Sequence, residues 1–226
     1  MNLSRTLAEQ YVRDRTAMAA EDLYIMDSAL AQLRLQIASR RRVIVGDLIS
    51  DFAFSHIRGG RISLSRLVER GPAVLSFFRG GWCPYCKLEL NSLKQAVGDI
   101  NQLGATLVLI SPETADWSLT TCRLNNLDDE SLQEVGLEIV TDPGNRVARR
   151  LGLVYKLPDS LRRLYLRIGA DLVQQNGQES WELPIPATLI VDRDRRVKLA
   201  FADIDYTKRL EPGVILNKLR QLDHAC

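Results

Sequence analysis

The 226-residue chain is poor in the side chains and segments on which many functions depend. It carries two histidines, His56 and His224, so a hydrolase whose cysteine is activated by a neighbouring histidine has little to draw on. No apolar run approaches the roughly 20 residues of a membrane span. The N-terminus alternates charged and apolar residues without a secretory hydrophobic stretch, so a cytoplasmic protein with no membrane partner is expected. Charge of one sign is missing: 30 Lys+Arg against 28 Asp+Glu leave a net +2, too little to suggest nucleic acid. No phosphate-cradling glycine loop, dinucleotide fingerprint or carboxylate cluster is evident, so no cofactor is expected. Of four cysteines, only Cys83 and Cys86 form a close pair, and no second Cys/His pair has the spacing of a metal site. No metal is expected.

What the chain does have is 46% hydrophobic residues, enough for one domain with an appendage. Residues 4–42 read as a helical extension, with Leu7, Tyr11, Leu23, Met26, Leu30, Leu33 and Ile37 at mostly three- and four-residue steps. Ser4 or Thr6 would cap its start, and Arg40 to Arg42 would sit at the negative end of its dipole. Its apolar stripe needs cover, from the main domain or from a second copy in a homodimer. The remainder, 43–226, alternates strand and helix signals, the signature of a mainly parallel α/β sheet. Extended pieces are expected at 43–47, 52–54, 72–78, 105–111, 137–141, 188–192 and 197–202, with a hairpin turn at 58–61. Helices are expected at 63–69, 84–103, 114–125, 145–151 and 212–222; 158–172 has helical spacing, and 174–179 reads as loop.

The sharpest signal is Trp82-Cys83-Pro84-Tyr85-Cys86, between a buried strand with a Gly80-Gly81 turn and a helix. Pro84 suits the first helical position, where an N–H has no intrahelical partner. Cys83 then sits at the helix N-terminus, where unpaired N–H groups and the positive end of the dipole favour thiolate over thiol. Cys86 follows one turn later on the same face, within disulfide reach. Cys83 is the expected attacking sulfur and Cys86 the resolving one. Arg79 and Lys87 lie nearby and are expected to point into solvent. Trp82 and Tyr85 would shape the surface around Cys83. Cys122 reads as a buried structural thiol. Cys226, His224 and His56 read as surface groups, and Trp117 and Trp181 as core or loop anchors. Pro186, before a predicted strand, is an ordinary trans proline on base rates alone.

FFRGGWCPYC between strand and helix, paired with the distant IPATLIVD, resembles the thioredoxin fold. With VGD at 45–47, LVLISPET, TDPGNRVARRLGLVY and PATLIVDRDRRVKLAF, the chain resembles the peroxiredoxin-like branch of the alkyl hydroperoxide reductase/thiol-specific antioxidant family over about residues 43–210. The resemblance implies a central mixed sheet flanked by helices, a peroxidatic Cys83, and reduction of hydrogen peroxide or organic hydroperoxides. It implies regeneration by thioredoxin or by a glutathione/glutaredoxin donor, and a cis Pro186 facing the dithiol. Two departures stand out. The loop Arg79-Gly80-Gly81-Trp82 lacks the family's proline and threonine, and Pro186 occupies the place of its late-strand arginine, leaving Arg79 as the candidate substitute. The dithiol itself is of glutaredoxin type. A thiol–disulfide oxidoreductase acting on protein or small-molecule disulfides is therefore the rival reading, and a redox sensor switched by the same disulfide a third.

Overall fold

A computed structural model describes residues 2–127 and 136–223. Its first two elements, α1 (Leu3–Ala17) and α2 (Ala20–Ala38), replace the single helix expected over 4–42. Met18 is extended between them (φ −81°, ψ 146°). No glycine or proline marks this break; it is tertiary, since α1 lies against the site helix while α2 packs on the helix Asp159–Arg167 and the strand Val154–Lys156. Arg15 and Asp27 pair at 2.7 Å across the elbow. The cap is Asn2, whose Oδ1 accepts from the Arg5 N–H, rather than Ser4 or Thr6. Ser4 lies inside the first turn, and Glu211 takes the Leu3 and Ser4 amides. The apolar stripe finds its cover within the chain: Leu3, Leu7, Ala29, Leu33 and Ile37 are buried against the body, although Tyr11 stays exposed. The three arginines fall beyond the end of α2 and fasten the crossover instead, Arg40 on the Val154 carbonyl, Arg42 on that of Ala202, and Arg41 on Asp47.

The body follows in the order β1 (Ala53–His56), β2 (Arg61–Ser63), α3 (Leu64–Glu69), β3 (Ala73–Phe77), α4 (Pro84–Gln102), β4 (Thr106–Ser111), α5 (Ala115–Leu124) and β5 (Leu137–Thr141). A 3-10 turn then leads to α6 (Arg146–Arg150), β6 (Val154–Lys156), α7 (Asp159–Arg167), α8 (Leu172–Asn176), β7 (Glu182–Pro184), β8 (Ala187–Val191), β9 (Val197–Ala202) and α9 (Pro212–Asp223). Seven strands form one sheet in the order β2-β1-β5-β4-β3-β8-β9, with β3–β4 and β4–β5 parallel and the other four pairings antiparallel. The sheet is therefore mixed, as the resemblance implies, and not the mainly parallel one that the strand–helix alternation suggests. Successive residues of the central strands face opposite sides. Val74, Leu107, Leu109 and Ile190 join the core under α1, α4 and α9, while Leu75, Phe77, Val108, Ile110 and Leu189 join the one under α3 and α6. Both faces are covered, which is why these strands read as continuous apolar runs.

Three local expectations are corrected. Residues 43–47 form no strand; this stretch turns, and the chain meets the sheet only at the Leu48–Arg196 bridge. Residues 174–179 are partly helical, because the Asp171 carboxylate caps the amides of Val173 and Gln174 and starts α8. A second sheet of β6 and β7 escaped the sequence reading, since two three-residue strands are too short to show a period. Among the described residues no helix is long and apolar enough to cross a membrane, and no group of three His, Cys, Asp or Glu could hold a metal ion.

Candidate active site

β3 lies inside the sheet, bonded to β4 on one side and β8 on the other, so its C-terminal end is firmly held. The loop 79–82 leaves that end and turns into α4. Gly80 has φ +142°, and a Cβ there would lie 2.5 Å from Trp82 Nε1. A Cβ on Gly81 would lie 2.2 Å from Thr121 Oγ1. The second contact exists because Glu113, buried at the end of β4, gathers the loop: one oxygen accepts from the Gly81 N–H (3.0 Å) and Thr121 Oγ1 (2.9 Å), the other from Ser111 Oγ (3.1 Å). Gly81→Ala is expected to cost about 1–3 kcal/mol through overpacking against Thr121, read as a lowered urea midpoint.

Cys83 is the N-cap of α4 and Pro84 its first residue, as the sequence suggests. Both thiols of the pair are reduced and wholly buried. Arg79 does not point into solvent. Its guanidinium is 2% exposed, with Nη2 donating to Cys83 Sγ at 2.9 Å and Nη1 to Tyr165 Oη at 2.8 Å. The aromatic rings of Trp82 and Tyr206 lie 4.8 and 4.3 Å from its Cζ, so cation–π attraction replaces the water it has lost. Lys87 is exposed, as expected.

The second sulfur has its own arginine. Arg209, from the segment between β9 and α9, donates from Nη2 to Cys86 Sγ at 3.2 Å and from Nε to Glu89 at 2.5 Å. Arg209 and Glu89 side chains are 1% and 2% exposed, so this is a buried ion pair. Burial pushes the Cys83 thiol up, but the Cys86 thiol's hydrogen bond, Arg79 and Arg209 together bring it well below its ordinary value. Burial and the neighbouring Cys83 anion push Cys86 well up, against Arg209 and Arg79. Both shifts favour a thiolate at Cys83 and a thiol at Cys86. Burial raises the Glu89 carboxyl, against which the Arg209 charge stabilises its anion. Two buried cations face two buried anions.

The extension reaches this site. Tyr85, in the first turn of α4, donates its hydroxyl to Asp14 of α1 at 2.7 Å, and stacks edge-on against Tyr206. Trp82 packs edge-on against Tyr165 of α7. Pro84 is exposed beside them. Of the residues singled out in the sequence, Arg79, Trp82, Cys83, Tyr85 and Cys86 meet here. Pro186 departs from what the resemblance implies and keeps the isomer its sequence context alone favours: the Ile185–Pro186 peptide is trans. The chain runs extended from β7 into β8, with the Ile185 N–H donating to the Leu153 carbonyl at 2.7 Å, so no tight turn calls for the less favoured isomer. Cys122 lies on the buried face of α5, in the same core as the dithiol, and His56 is half-buried beside Glu138. Trp117 and Trp181 are half-buried, Trp181 against the core beneath α2 and α7. His224 and Cys226 lie outside the described residues.

The sequence reading missed Arg209, Glu89, Glu113, Tyr165, Tyr206 and Asp14. Only Glu89 carried a local signal, three residues after Cys86 on one helix face. The others arrive from distant segments.

The family model described as AhpC/TSA family matches residues 45–200. The chain belongs to the AhpC/TSA family. No curated protein matches it significantly. Among solved structures it is similar in fold to the peroxidoxin BcpB from Mycobacterium tuberculosis, with TM-score 0.58 and 20% identity over 79% of this chain and 97% of that one. A peroxiredoxin-like protein from Aquifex aeolicus gives TM-score 0.60 and 13% identity over 80% and 89%. A putative protein disulfide isomerase from Bacteroides thetaiotaomicron gives 0.52 and 14% over 80% and 89%. The family match leaves residues 1–44, with α1 and α2, and residues 201–226 outside it.

Proposed function

We propose that this AhpC/TSA protein is a thiol-dependent peroxidase with Cys83 as peroxidatic and Cys86 as resolving cysteine, its site roofed by the extension of residues 1–42. One observation carries the reading: the Arg79 guanidinium lies 2.9 Å from a fully buried Cys83 Sγ, supplying from the loop before the cysteine the cation that position 186 lacks. The Cys83 thiolate attacks one oxygen of the hydroperoxide and the O–O bond breaks. The alkoxide or hydroxide leaves with a proton as alcohol or water, and Cys83 becomes a sulfenic acid. The Arg79 Nε–H, buried without a hydrogen-bond partner, is the donor available to that oxygen. Cys86 then attacks the Cys83 sulfur and expels hydroxide, which takes up the Cys86 proton to leave as water. An external thiol reduces the disulfide.

Direct attack on protein disulfides is disfavoured, because a sulfur with no exposed surface reaches a small oxidant more easily than a folded partner. The test is stopped-flow tryptophan fluorescence on the reduced protein mixed with hydrogen peroxide, with Trp82 beside Arg79 as reporter and Cys83→Ser as control. The expected second-order rate exceeds that of a free thiol by orders of magnitude and vanishes in the variant. A rate no better than a free thiol's overturns the peroxidase reading and leaves the disulfide oxidoreductase.

The depressed Cys83 value also fixes a pH dependence. Ionised Cys83 contributes its stability in full above the roughly 8.5 of an unfolded cysteine, and loses it as pH falls through the lower folded value. The stability gap between wild type and Cys83→Ser in urea melts is therefore expected to shrink on acidification, and the peroxide rate to fall over the same interval.

A further inference from the structure

Two cavities meet over Trp82, Pro84 and Tyr85, the residues that flank Cys83. The inner one, of about 260 Å³, reaches Arg79, Trp82 and Pro84 on its floor and Ile168 and Ala170 on its wall. The outer one, of about 300 Å³, runs along the α1–α2 elbow to Arg15, Arg34, Asp27 and Asp205. Asp14, Met18, Met26, Tyr85 and Tyr206 border both, so they form one cleft with an apolar inner end and a charged outer end. The outer end carries both signs in a small space: Arg15 pairs with Asp27, and Arg34 with Asp205. The Arg79 Nε–H, at the border of the inner end, is buried without a hydrogen-bond partner.

Resting on the dithiol reading above, we infer that the cleft admits a low-molecular-weight zwitterionic thiol as the reductant, and that the α1–α2 elbow excludes a protein dithiol. Both sulfurs are fully buried, and the elbow that bounds the approach lies outside the family match. A folded reductant needs an exposed sulfur to attack, whereas a short peptide thiol carrying an ammonium and carboxylates finds counter-charges at the outer end and passes its sulfur inward. Its thiolate attacks Cys83 Sγ, 2.9 Å from the Arg79 guanidinium that lines the inner end of the cleft. The Cys83–Cys86 bond breaks, and Cys86 leaves as a thiolate stabilised by Arg209 at 3.2 Å before taking a proton. A second thiolate attacks the sulfur of the bound thiol and expels Cys83 as the thiolate held by Arg79. Two external thiols become one disulfide, and the two electrons reside on Cys83 and Cys86.

The experiment starts from protein oxidised with diamide, so its outcome does not depend on peroxide reactivity, and a slow peroxide reaction sinks the earlier reading without touching this one. Glutathione, neutral 2-mercaptoethanol and a thioredoxin are mixed with it in turn, rates being compared per thiolate. Glutathione is expected to outrun 2-mercaptoethanol by about tenfold, and the double reversal Arg15→Glu, Arg34→Glu to erase that advantage while leaving the 2-mercaptoethanol rate within about twofold. Mass spectrometry of a Cys86→Ser variant is expected to find the glutathione adduct on Cys83. A thioredoxin faster than glutathione at equal concentration overturns the inference. So does a glutathione advantage that survives the charge reversal, or a reversal that slows both small thiols alike.

Discussion

Replacing Arg79 with glutamine is expected to slow the reaction with hydrogen peroxide at pH 7 by about a hundredfold. An opposite charge within bonding distance lowers a pKa by about 1–3 units, and each unit is about 1.4 kcal/mol between the two protonation states. Arg79 supplies both a charge and a hydrogen bond to Cys83, so its loss returns the sulfur to the neutral thiol that burial prefers. Folding stability falls by less, because the sulfur escapes an unpaired buried charge by taking a proton. Lysine is not expected to rescue, since a point charge cannot hold Cys83 and Tyr165 at once from between the rings of Trp82 and Tyr206. The measurement is the 240 nm absorbance of the thiolate against pH. If the Arg79→Gln titration overlays that of the wild type, the electrostatic account of the site is wrong.

The largest expected stability loss lies at the other arginine. Glu89→Leu removes the carboxylate paired with Arg209, whose side chain is 1% exposed, and unlike a cysteine the stranded Arg209 cannot discharge itself. Breaking a buried pair from one side costs about 3–5 kcal/mol, whereas replacing both partners by apolar groups is often neutral. Glu89→Leu is therefore expected to lower the urea-unfolding free energy by that amount, and Glu89→Leu with Arg209→Met to recover most of it. An unchanged urea midpoint for the single variant would show that the pair carries no such charge. The double variant should fold yet resolve slowly, since Cys86 loses the donor at 3.2 Å that stabilises it as a leaving group.

The legible parts of this protein are those written in short-range order. The Cys-Pro-Tyr-Cys turn, the buried runs of β3 and β4, and the hairpin of β8 and β9 each declare themselves within a dozen residues. The mixed thioredoxin-like sheet expected from them is the one observed. What escaped was set by distance along the chain. Arg79 reads as solvent-facing because an isolated arginine usually is; its burial depends on Tyr165 and Tyr206, more than 80 residues away. Arg209 lies 123 residues from Cys86 and carries no pattern. The elbow at Met18 sits in a sequence with every helix-forming credential, and it bends because two different surfaces must be met on either side of it.

The balance of two cations and two anions beneath the sheet end holds only while Cys83 is reduced. Joining the sulfurs removes one anion and leaves Arg79 beside a neutral disulfide, so the protein stabilises its dithiol at the expense of its oxidised form. In electrochemical terms this raises the midpoint potential, by about 30 mV for every 1.4 kcal/mol of preference for the reduced state. The same guanidinium that readies Cys83 for attack thus makes the resulting disulfide a comparatively strong oxidant, one that surrenders its bond readily to an external thiol.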